Sequence, residues 1–298
     1  MRHSMKSPHA KEHVYAMSEL NGRTHYYHAE ANILSGHLRL PLEHRIKPQA
    51  HTHLPKEGGY FSHRAENFML ESVISFGSAY SHVAGNINPK PNGGWVTLAT
   101  TVIEGLNVLE VVTADRIVGQ TITEHPREGY VPTISFLGTR FENLRIAGLP
   151  VDLDLNANFL GPKPANDAAY THDAGLIGRI STQLGRVGEH PDLPAELHQR
   201  YNRLSASLGS QPEEVECSLV NRATGNYPGH SSGHVITIPD FGTMVLGKVT
   251  IKHEDFKPET GASKKTTVQL TMIDFHFGCP IEGSGGTGTG SSNGTTEP

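Results

Sequence analysis

Residues 151–159 read VDLDLNANF, and the period of that stretch decides the fold class. Val151, Leu153, Leu155, Ala157 and Phe159 point one way from an extended chain; Asp152, Asp154, Asn156 and Asn158 point the other. One dry face and one solvated face over nine residues is the pattern of a strand in an antiparallel sheet covered on one side. Outward from this point the theme recurs. Stretches such as GGWVTLATTVIE (93–104), TMVLGKVTIKH (243–253) and TTVQLTMIDFHFG (266–278) are rich in β-branched residues, and 32 glycines and 19 prolines separate such runs. Many short strands joined by turns are implied. The expected fold is all-β: an antiparallel β-sandwich, or two packed sheets.

One region breaks the period. Tyr170, Ala174, Ile177, Ile180 or Ser181, and Leu184 recur at helical spacing, as do Leu193, Leu197, Tyr201, Leu204 and Leu208. Asp192 suits an N-cap, Pro194 a first turn, and Gly209 a stop. Residues 165–209 are therefore expected as a two-helix insertion. It divides a β-rich segment, 24–164, from a second one, 210–281, that completes the fold. Residues 1–23 read as an N-terminal extension. The tail 282–298, EGSGGTGTGSSNGTTEP, holds no apolar side chain and is expected to be disordered. SGHLRLP (35–41) and SGHVITIP (232–239) echo one another and raise the question of an internal repeat.

The formal charge is −5, without the basic stripe of a nucleic-acid binder. Residues 1–63 nevertheless carry ten of the 19 histidines, so this end gains positive charge as pH falls through about 6.5. No run approaches the ~18 apolar residues of a membrane span. The basic start has no apolar core of a secretory leader, which makes a cytoplasmic location the default expectation. Two cysteines are too few for a disulfide scaffold. Cys217 and Cys279 are either two buried thiols or one bridge between late strands.

The histidine-based candidates lie at the same end. His51, His53 and Glu57 in HTHLPKEGGYFSH (51–63) match HxHx₃E, with His63 as a fourth donor. Imidazoles two apart on a strand share a face and can reach one divalent metal. The arrangement matches the first metal motif of cupins, but Arg45 and Arg64 stand where that motif has glycine. Pro48, Pro55, Gly58 and Gly59 bracket the histidines, so a surface connection responsive to pH is the expected form. His25, Tyr26, Tyr27 and His28 form a polar-aromatic cluster suited to a sugar or a protein partner. GHSSG (229–233) fits GxSxG around Ser231, but a strand-like run follows it rather than a helix, so a hairpin turn is expected. GSGGTG (283–288) fits GxGxxG by letter alone, with no helix after it.

Residues 58–155 carry a further pattern. GGYFSHRAENFMLESVISFGSAYSHVAG is followed by ATTVIEGLNVLEVVTADRIVGQT and then by TRFENLRIAGLPVDL. This order of a Ser/Ala-rich strand, an I-x-G-L strand, a V-x-T-A-D strand and F-x-N-L-x-I-x-G-x-P-V resembles the β-rich bacterial proteins grouped as choice-of-anchor P. The resemblance implies an exported or surface-displayed β protein with no established enzyme activity, and it carries over no functional residue. The expected function is a non-enzymatic binding or self-assembling structural protein, with a second copy or a surface partner. The alternative is a cupin-like metal enzyme using His51, His53, Glu57 and His63.

Overall fold

The computed structural model describes residues 19–20, 22–40, 43–210, 212–256, 264–278 and 282–297. It is 56% strand and 14% helix, so the all-β reading with a two-helix insertion holds. The first sheet is a meander of β3 (Gly59–Leu70), β4 (Ile74–Ile87), β5 (Trp95–Val108) and β6 (Val112–His125), continued by the short strands Arg145–Ile146 and Leu149–Pro150. The second sheet runs β2–β1–β9–β8–β7. Its strands are β1 (Ala29–Leu40), β2 (His44–Gln49), β7 (Gly242–Glu254), β8 (Lys265–Phe277) and β9 (Glu282–Ser292), and the Val235–Ile238 and His230–Ser232 pieces lie beyond β7. Every neighbouring pair is antiparallel.

The sheets pack face to face, β1 over β4 and β5, β9 over β5 and β6, and β8 over β6. One core buries Ile33, Phe76, Ile103, Ile117, Met272 and Phe275. A smaller cluster at one end gathers Tyr27, Ala29, Ala31, Leu54, Val83, Trp95 and Ala99.

The tail departs most from expectation. Residues 282–292 are not disordered. They form β9, paired with β8 on one side and β1 on the other. Thr295–Glu297 then pairs with Arg23–Tyr26. Composition misleads here because β9 lies where the sheets approach closely, and small residues are what fit. A Cβ on Gly288 would come within 3.0 Å of Met272, and one on Gly290 within 3.4 Å of Ala99. Thr287 and Ser292 are fully buried, and Ser292 shares a 2.7 Å hydroxyl hydrogen bond with Thr123 of the opposite sheet.

The stretch 151–159 is partly as expected. Asp152–Leu155 is a strand with both aspartates exposed, paired with Val220–Thr224. It stops at Leu155 because the Asn156 side chain accepts the Asn158 amide at 3.0 Å and turns the chain. The alternation beyond that point belongs to a turn.

The helices are α1 (Ala174–Gly188) and α2 (Ala195–Ser207). The buried stripe of α1 is Leu176, Ile180, Leu184 and Val187, rotated from the expected one, with Ala174 exposed. Its cap is Asp173, whose carboxylate accepts the Leu176 amide at 2.7 Å. Asp192 caps nothing, since Pro194 occupies the N-cap of α2 without a side-chain bond. Asp173→Ala should therefore cost about 1 kcal/mol in urea unfolding, and Asp192→Ala almost nothing; equal losses would contradict this assignment. The insertion is fastened to the second sheet through Ser218: Gln183 donates to its carbonyl at 3.0 Å and accepts its amide at 2.8 Å. Arg200 of α2 donates to Glu216 at 2.6 Å.

The SGH echo is not a structural repeat. Ser35–Gly36 lies in mid-strand, opposite Gly286 and Gly285, whereas Gly233–His234 is a hairpin turn. No helix among the described residues is long and apolar enough to cross a membrane.

Candidate functional site

The segment HTHLPKEGGYFSH serves two purposes. His51 is exposed ahead of a two-residue strand, Thr52–His53, that pairs with Glu30 and Ala31 of β1. Pro55 to Gly58 form a tight turn closed by the Gly58 amide on the Pro55 carbonyl. Gly58, at φ +87°, lies against the Tyr27 ring, and a Cβ there would also strike the Gly85 carbonyl at 2.6 Å. From Gly59 the chain is no longer a connection but β3, and His63 stands on it opposite Ser81. The quartet His51, His53, Glu57 and His63 is therefore dispersed, because the turn carries Glu57 away and the edge strand carries His63 away.

Among the described residues, metal-type donors converge at one place, formed by His28, Glu30 and His53. Cross-strand register explains it. Glu30 is directly opposite His53, and His28 precedes Glu30 by two residues. The facing residues Ala29 and Ala31 point inward to the core, so the three polar side chains share the outer face of the second sheet. His53 Nδ1 is 3.4 Å and His28 Nε2 is 3.7 Å from the same oxygen, Glu30 Oε1. The two imidazoles meet edge to face at 5.4 Å between centroids. Burial holds the His28 pKa below its ordinary value; Glu30 offsets this in part, while His53 and Lys265 lower it further. The net lowering favours the neutral imidazole of His28. Glu30 also lines a shallow depression with Asn32, Pro48, His51, Gln269 and Ser291.

The polar-aromatic group 25–28 is split by strand alternation. Tyr26 and His28 face outward, and Lys56 lies 5.9 Å over the Tyr26 ring. His25 and Tyr27 are buried and form core, not a binding surface. His25 stacks on Trp95 at 5.0 Å, meets Tyr27 edge-on at 4.7 Å, and shares a 2.9 Å hydrogen bond with Thr296. His125 lies 4.7 Å from His25. Burial first, and His125 second, press the His25 pKa down to about 2.

Ser231 sits in a hairpin strand and donates to the Ala223 carbonyl at 2.6 Å, with no helix behind it, as the turn reading requires. Cys217 is a free buried thiol; its expected partner, Cys279, lies outside the described residues.

No curated protein and no solved structure matches the chain. A family model does match it over residues 25–252, which takes in the His28–Glu30–His53 group, both helices and most of both sheets; on that match the chain belongs to the family described as a domain of unknown function (DUF8256).

Proposed function

We propose that this chain is a non-enzymatic binding protein that self-associates through β3, with display at a cell surface as the setting that the choice-of-anchor P resemblance of residues 58–155 suggests. The observation that carries the reading is the edge. β3 is twelve residues long, pairs only with β4 among the described residues, at the end of its sheet, and exposes residues on both faces. Tyr60 is 64% exposed and Met69 74%. An open, partly apolar edge of this length is a template for another strand, which monomeric proteins ordinarily cover or blunt.

A second copy fits the pattern of charges. Antiparallel pairing of two β3 strands about Ala65 sets Arg64 of each copy opposite Glu66 of the other, and brings Phe61 towards Met69. Within one chain Arg64 and Glu66 already form a 2.8 Å ion pair, so dimerisation exchanges this contact for two cross-strand ones. Asn67, at φ 49°, bends the strand and restricts regular pairing to a short stretch around that centre.

Sedimentation velocity tests the reading. The parent chain is expected to dimerise. Arg64→Glu should weaken the dimer about tenfold, because it sets like charges opposite one another twice, an effect of about 1.4 kcal/mol. The double exchange Arg64→Glu/Glu66→Arg should restore it. A parent that sediments as a monomer at every concentration, or an Arg64→Glu dimer as tight as the parent, would refute the proposal.

A further inference from the structure

We infer that His28 Nε2, Glu30 Oε1 and His53 Nδ1 form a three-ligand site for a divalent transition-metal ion of the zinc type, with its remaining position open to solvent. This goes beyond the self-association reading and does not depend on it. The spacing is the first argument. Donors held about 2.0–2.2 Å from a tetrahedral zinc ion stand about 3.3–3.6 Å from one another. The observed separations to Glu30 are 3.4 and 3.7 Å, and all three donor atoms lie within 4.8 Å of each other.

The same distances show what the group is not. Both exceed the 2.7–3.2 Å of a made N–H···O hydrogen bond. Both imidazole nitrogens thus face one carboxylate oxygen at ion-pair range, without a made hydrogen bond between them and it. The donor set is the second argument. Two imidazoles and one carboxylate suit zinc and its neighbours in the first transition row, whereas calcium and magnesium call for oxygen donors.

Placement is the third. Glu30 and His53 are fixed by main-chain pairing of β1 with the Thr52–His53 strand. The His28 backbone is held by the Asn293 amide, which donates to its carbonyl at 3.1 Å. The ligands therefore project from paired or tied backbone, not from a free loop. Lys265 is the nearby opposing charge, and solvent reaches all three ligand side chains, so the ion is exchangeable. Three protein ligands and an open position make the arrangement able to bind a further donor from solvent or from a partner.

Calorimetric titration of the full, metal-stripped chain with Zn²⁺, followed by Co²⁺ absorption in the visible, tests this. One ion per chain is expected, with a tetrahedral-type Co²⁺ spectrum that Zn²⁺ displaces. Glu30→Gln and His53→Ala should each weaken binding at least about tenfold, while His51→Ala/His63→Ala should leave it within about twofold. Far-UV CD of Glu30→Gln, which keeps the side-chain shape, establishes that the fold is retained. Absence of a stoichiometric site in the parent chain would overturn the inference. So would a site that persists at full affinity in both Glu30→Gln and His53→Ala, or one lost equally in the His51→Ala/His63→Ala control.

Discussion

Truncation after Ile281 is expected to abolish the cooperative fold, although it removes only a glycine-, serine- and threonine-rich segment. β9 is an interior strand. Its eleven residues pair with β8 from Val268↔Ser292 to Phe277↔Gly283 and with β1 from Ala29↔Ser292 to Leu38↔Gly283. Without it both neighbours lose their ladder, and the second sheet is split between β1 and β8. At a net ~1 kcal/mol for each main-chain hydrogen bond, a strand paired on both sides accounts for about 10 kcal/mol. That is comparable with the whole stability of a domain, about 5–15 kcal/mol. The face of β5 and β6 that β9 covers would also be exposed. Urea unfolding followed by CD checks this. The shortened chain should show no sigmoidal transition, and Gly288→Val, which adds a Cβ at φ +62° against Met272, should lower the midpoint of the full chain. A shortened chain that unfolds cooperatively with an unchanged midpoint would show that β9 is dispensable.

The fate of this strand also shows where sequence reading reaches its limit. Alternation at Val151–Leu155 identifies a strand with one solvated face, because the period of two is a local property. The β9 segment has no such signal, since its fitness comes from the space left by Ala99 and Met272 on other strands. Turns fail for a related reason. The β5–β6 hairpin turns at Leu109 and Glu110, both with φ above +50°, where Asn-Gly is the usual marker; NVLEVVTADR therefore reads as one continuous strand. Tertiary pairing imposes that backbone. The donor group lies between these cases. His28 and His53 stand out in the sequence, but in separate patterns, and only the Glu30↔His53 register brings them to one carboxylate. The helices were legible as elements, since helical spacing is local, although the buried stripe of α1 is rotated from the expected one. The Asp173 cap was less so, because Asp192 has the same chemistry two residues ahead of a proline.

Acidification from pH 7 to pH 5 is expected to remove up to roughly 5 kcal/mol of stability, through histidines that the fold keeps neutral. Three are buried at 2% exposure: His25, His125 and His234. Burial is the leading cause in each case. It holds His25 at about 2, with His125 as a second cause; His125 at about 4, opposed by the Gly294 backbone and aided by Lys163; and His234 at about 3, aided by Arg200. An unfolded imidazole titrates at about 6.5. Below that value the unfolded chain binds protons that the folded chain does not, so stability falls as pH falls. The loss per group is about 1.4 kcal/mol for each pH unit between about 6.5 and its folded pKa. Three groups give about 4 kcal/mol per unit in the steep part of the range. The window from 6.5 to 5 lies above the ordinary carboxylate range, so the slope there reports imidazoles. Urea midpoints measured at half-unit intervals from pH 7.5 to 5 should decline steeply. His234→Gln, which keeps a polar group facing the Tyr201 hydroxyl now 2.9 Å from the ring nitrogen, should reduce the slope by about 1 kcal/mol per pH unit. If the midpoint stays level between pH 7 and 5, the buried imidazoles are not held neutral by the fold, and the acid sensitivity assigned to them is wrong.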